Sequence, residues 1–74
     1  MRAPPGALVS IYYDGEPLAP GDYLRTPTGR AYLVAVARVQ RRGLHVGRQH
    51  LRCLVSSSIP AGARTLPLFW YPRG

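Results

Sequence analysis

The chain contains no lysine, a single cysteine and only three acidic residues. With Cys53 as its one thiol, no internal disulfide framework can hold it together. No apolar run approaches the length of a membrane-spanning helix, the longest being residues 31–37. Behind Met1-Arg2-Ala3-Pro4-Pro5 there is no hydrophobic segment of the kind that makes a secretory signal. The expectation is a protein that neither enters a membrane nor leaves the cell by that route. Its 74 residues make one domain. A domain this small buries only a little over half of its unfolded surface, so self-association is a natural source of extra stability.

The missing acids are unevenly missing. Asp14, Glu16 and Asp22 all lie in the first third, and from Tyr23 onward there are nine arginines and no acid. The formal net charge is +7. Such a field favours anionic partners, either nucleic acid or an acidic protein surface. The exclusive use of arginine has two readings. One is planar, bidentate recognition of phosphate or carboxylate. The other is a G+C-rich genome that encodes Arg and Ala in preference to Lys.

The best-defined stretch is residues 21–39, GDYLRTPTGRAYLVAVARV. Asp22-Tyr23-Leu24-Arg25-Thr26 alternates polar and apolar, as a strand does. Pro27-Thr28-Gly29 supplies a preset φ and a residue that tolerates positive φ, which makes a turn. Residues 31–39 then read as a longer strand, fit for the centre of a sheet, with both faces largely apolar; a helix, which the three alanines favour, is the alternative that the spacing of Val34, Val36 and Val39 and the neighbouring turns disfavour. A strand with one wet face alternates more cleanly. The second face is therefore expected to be covered as well, by the same domain or by a partner.

The remaining strands are expected at residues 7–13, at 44–55 with Gly47 as a bulge, and at 66–71, where Pro67 and Pro72 impose an edge position. On the first, Leu8, Ser10 and Tyr12 share one face and Val9, Ile11 and Tyr13 the other. On the fourth, Leu51, Cys53 and Val55 oppose Arg48, His50 and Arg52. Residues 1–6 read as a flexible N-terminal arm and residues 7–74 as a single small β-domain. Five short antiparallel strands with Gly/Pro punctuation and no convincing helix predict an all-β fold, an SH3-like or OB-like barrel.

Arg38, Arg41, Arg42, His45, Arg48, His50 and Arg52 cluster around one hairpin. We expect Arg38, Arg41, Arg42, His45, Arg48 and Arg52 to contact an anionic partner, holding a phosphate backbone without reading its sequence in the nucleic-acid case. An ordinary solvated basic face is the plain alternative. His45, His50 and Cys53 lack a fourth ligand and sit among cations, so no metal is expected. No cofactor or small-molecule substrate is expected either. No nucleophile elbow or paired carboxylates are present, and a non-enzymatic role follows. At the C-terminal end, Trp70 and Tyr71 are of the residue types that anchor interfaces, although aromatics on a last strand can equally close a core.

The pattern Gly21-Asp22-x-Leu24-Arg25-Thr26-x-x-Gly29-Arg30-x-Tyr32-x-Val34 resembles that of small β-barrel proteins encoded among the virion structure genes of bacteriophages. The lysine-free composition, His50-Leu51-Arg52-Cys53 and Trp70-Tyr71-Pro72-Arg73 are similar to short proteins of phages of G+C-rich actinobacteria. The resemblance implies a virion structural or assembly role at the head or head–tail junction. Its partners would be other virion proteins, further copies of itself, or DNA, and its location the virion or the host cytoplasm. A free nucleic-acid-binding module is the alternative.

Overall fold

The computed structural model describes residues 4–69. Five strands form one sheet: β1 (Leu8–Tyr13), β2 (Tyr23–Arg25), β3 (Ala31–Val39), β4 (Gln49–Ser56) and β5 (Thr65–Pro67). Their order is β1-β4-β3-β2-β5, so the long apolar strand β3 does sit in the middle. Among the described residues there is no helix, and hence none long and apolar enough to cross a membrane.

Three of the four pairings are antiparallel, but β5 runs parallel to β2. The expectation of an all-antiparallel set is corrected there. The expected barrel is also corrected. The sheet is open, with β1 and β5 as its two edges. Among the described residues no backbone bond joins these edges, and the hydrogen bond between them comes from a side chain, the Tyr13 hydroxyl donating to Pro67 O at 3.2 Å. Pro67 has no N–H to give to a ladder, and β5 has only three residues, so this side cannot supply the strand pairing that closure needs.

Two hairpins are closed by one bond pattern. In the first, the Gly29 N–H donates to Thr26 O (2.9 Å) and the Thr26 N–H donates to Arg30 O (2.9 Å). In the second, the Gly47 N–H donates to Gln40 O (2.9 Å) and the Gln40 N–H to Arg48 O (2.8 Å). In both, a glycine at positive φ, 87° for Gly29 and 85° for Gly47, shares one partner residue with its successor. This is a glycine bulge, which needs the left-handed conformation that side chains resist. Gly47 is thus a bulge as expected, but it closes the loop ahead of β4 and does not interrupt a strand. The expected strand over 44–55 begins only at Gln49, because residues 40–48 fold as a loop.

The inner face of the sheet is the core. The alternation of β4 puts Leu51, Cys53 and Val55 there, joined by Ile11, Leu24, Tyr32 and Val34, with Leu18 and Leu68 closing over them from connecting segments. Leu24, Leu51, Val34 and Cys53 are fully buried. Each such Leu or Val contributes roughly 1.5–3 kcal/mol relative to an exposed position. Gln49 fastens the crossing segment after β1: its Oε1 accepts from the Leu18 N–H (2.8 Å) and its Nε2 donates to Glu16 O (2.7 Å).

The two-faced look of β3 has a structural cause. The register shifts between Val34 and Val36, opposite Cys53 and Arg52, so Ala35 is an extra residue. Before it, Tyr32 and Val34 face the core. After it, Ala37 and Val39 share the face of Leu51 and Gln49, while Val36 and Arg38 share that of Arg52 and His50. A strict two-residue alternation carried through Ala35 assigns the far half to the wrong side. Cover from the chain itself fades beyond the bulge, leaving Val36 38% and Val39 61% exposed.

Candidate functional site

The outer face of the sheet is read from the register. Leu8 of β1, Leu54 of β4, Leu33 of β3 and Tyr23 of β2 lie side by side in one row. The next row is Ser10, Arg52 and Val36, and the third is Tyr12, His50 and Arg38. The outer face therefore changes from apolar at one end to cationic at the other.

Arg38 and Arg52 are diagonal neighbours on this face, a relation that places such pairs about 7–8 Å apart. With Val36 and His50 they line a hollow of about 520 Å³. Neither guanidinium has an ion pair or hydrogen bond among the described residues. The described acids are on the segment between β1 and β2, and Arg64 engages two of them, Asp22 at 3.1 Å and Glu16 at 3.8 Å. Asp22 is held further by the Ala19 N–H, which donates to its Oδ2 at 2.9 Å. Two of the three acids are thus occupied locally, none of the three pairs with Arg38 or Arg52 among the described residues, and the field of those two arginines is left uncompensated.

An aromatic stack ties the long loop to this face. The Tyr12 ring lies against His50, across the β1–β4 ladder, with centroids 4.7 Å apart and planes at 14°. It also lies against His45 of the loop, at 3.9 Å and 16°. His45 in turn meets Arg48, Nδ1 to Nη1 at 3.5 Å. Arg38, His45, Arg48, His50 and Arg52 are thereby brought to one end of one face. Arg41 and Arg42 are exposed on the loop beyond it, beside Leu44, which is 98% exposed. Tyr12 is the organising residue that sequence reasoning left unassigned. Its parity with Ser10 and Leu8 was legible, but its partner strand was not.

His45, His50 and Cys53 do not converge. Cys53 faces the core, opposite in direction to His50. Burial pushes its thiol up to about 12, so it stays protonated and unreactive near neutrality. The Tyr13 hydroxyl is also raised, first by burial and then by Glu16, against the lowering effect of Arg64. Trp70 and Tyr71, the expected interface anchors, lie outside the described residues. Phe69 before them is exposed and borders a second hollow of about 380 Å³, with Pro27 and Leu68 among its lining residues. Of the expected strand over 66–71, residues 70–71 lie outside the described residues; within the described ones the strand is Thr65–Pro67, and Leu68 turns into the core.

No family model matches the sequence, and no curated protein or solved structure matches it either.

Proposed function

We propose that this chain is a non-enzymatic structural or assembly protein of a bacteriophage virion, of the head or head–tail region. It presents the outer face of its sheet to an acidic neighbour or to packaged DNA. With this goes the finer fold assignment, an SH3-like or OB-like arrangement of strands laid out as an open sheet with β1 and β5 at its edges. The observation that carries the reading is the hollow flanked by Arg38 and Arg52, two cations without a counter-charge at the cationic end of the outer face. Uncompensated neighbouring cations repel, and an anionic partner relieves that repulsion.

The test is incorporation into particles. The double variant Arg38→Glu, Arg52→Glu reverses the charge of the hollow and leaves the core untouched. Its incorporation is expected to fall about tenfold or more, as for a loss of charge complementarity at an interface. Equal incorporation of the variant, or absence of the wild-type chain from particles, overturns the reading.

The alternative, a free nucleic-acid-binding module, draws on the continuation of positive charge into the loop at Arg41 and Arg42. Fluorescence anisotropy with DNA at low and at near-physiological salt separates the two. Binding that stays tight at the higher salt exceeds counterion release and favours the module.

A further inference from the structure

The two edges of the sheet are built differently. β5 has three residues and carries Pro67, devices that blunt an edge. β1 has six, Leu-Val-Ser-Ile-Tyr-Tyr, with no charge, proline or glycine. Nothing among the described residues pairs with its outer side.

The direction of its backbone groups follows from one bond. The Val55 N–H donates to Ala7 O. In an antiparallel ladder bonded pairs alternate, so Val9, Ile11 and Tyr13 bond inward to β4. The N–H and C=O groups of Leu8, Ser10 and Tyr12 then point away from the sheet. We propose that this edge is a homodimer interface, with β1 pairing antiparallel to β1 of a second copy about a two-fold axis at Ser10.

The register is chosen by satisfaction of those groups. With Ser10 opposite Ser10 of the second copy, Leu8 falls opposite Tyr12 and Tyr12 opposite Leu8. These are three bonded pairs, each exchanging two hydrogen bonds, and every outward group of the strand is used. Centring on Ile11 instead leaves Leu8 beyond the ladder. In the chosen register Val9 meets Ile11 on the inner face, and Leu8 meets Tyr12 on the outer, pairings that favour a sheet. No charged residue lies on the paired strands. The nearest cations on the outer face, the two copies of Arg52, are three interstrand spacings apart, about 14 Å. That exceeds the screening length of about 8 Å at physiological salt. The axis runs perpendicular to the sheet, so both basic hollows face the same way. The inference does not rest on what fills those hollows.

Sedimentation equilibrium of the full chain tests it, with circular dichroism to confirm folding. The wild type is expected to dimerise in the micromolar range, and more tightly as salt rises, because a net charge of +7 on each copy is screened. Binding to an anionic partner would weaken instead. Ser10→Pro removes only the outward N–H and is tolerable at an edge. It deletes both bonds of the central pair and should weaken the dimer by about thirtyfold. Ser10→Cys places two thiols in a bonded pair whose Cα atoms lie about 5.5 Å apart, within disulfide range. It should oxidise to a linked dimer far faster than Leu44→Cys, while buried Cys53 stays out of the reaction. A wild type monomeric at every salt concentration, a folded Ser10→Pro chain that dimerises as before, or Ser10→Cys linking no faster than Leu44→Cys would each overturn the proposal. Should Ser10→Pro not fold, the linking rates decide.

Discussion

Between β2 and β3, three residues separate Thr26 from Arg30. Between β3 and β4, seven separate Gln40 from Arg48. Both loops end in a glycine bulge with the same two backbone bonds. The short one is anchored at its base, with residues 27–29 exposed. Thr26 is buried, and its Oγ1 accepts from the Arg30 N–H at 3.0 Å. The long one projects, with Leu44, Val46, Arg41 and Arg42 exposed, and touches the sheet through His45 and Tyr12. One closing device therefore serves a fastener in one place and a displayed surface in another. Loop length makes the difference, since a three-residue loop stays close to its own strands while seven residues can carry apolar and cationic side chains further from them.

The largest effect should come from the arm of the short hairpin. Leu24 on β2 is fully buried opposite Tyr32 and beside Leu66. Leu24→Ala should cost about 2–5 kcal/mol. Against the roughly 4–11 kcal/mol that a chain of 74 residues has in total, that is a large share. Urea unfolding measures it, and a loss under about 1 kcal/mol would mean that this hairpin is not the fastener.

A smaller, matched effect tests whether the two bulges are equivalent. A Cβ on Gly29 or Gly47 meets nothing within 4 Å, so the strain is purely conformational. Gly29→Ala and Gly47→Ala should each lose about 1–2 kcal/mol by thermal unfolding. If Gly47→Ala loses nothing, the long loop yields where the short one cannot, and the likeness between the two ends there.

The smallest effect belongs to the tip. Leu44→Ser should change stability by no more than about 0.5 kcal/mol, since the side chain contacts almost nothing. A larger loss in the same melt would show the tip covered in solution and remove its contrast with the anchored base at Thr26.

Much of this was readable along the chain. Pro27-Thr28-Gly29 announced a turn and Gly47 a bulge, because only glycine takes positive φ freely. Leu51, Cys53 and Val55 separated from His50 and Arg52 by alternation alone. The candidate site was legible as a list of cations near one hairpin, but not as a surface. Arg38 reaches the face of Arg52 only because Ala35 is an extra residue, and a bulge inside an apolar run has no sequence mark as plain as glycine at a turn. Tyr12 meets His45 and His50 because β1 lies next to β4, a neighbour distant in the chain. The open sheet was missed for a similar reason. Short strands with turns suit a barrel and an open sheet alike, and the parallel pairing of β5 with β2 depends on how residues 57–64 travel.

By itself the sequence determined that there are five strands, where β1, β2 and β3 lie, where the tight turn before β3 falls and which β4 side chains share a face. Those properties depend on two-residue periodicity and on the φ range of single residues, and both act locally. Tertiary structure alone decided the strand order, the face of each residue beyond Ala35, the neutralisation of Asp22 and Glu16 by Arg64, and the unprotected edge at β1. Each of these is set by pairing between segments far apart in the chain, where the free energy belongs to the pair and neither partner's sequence carries it alone.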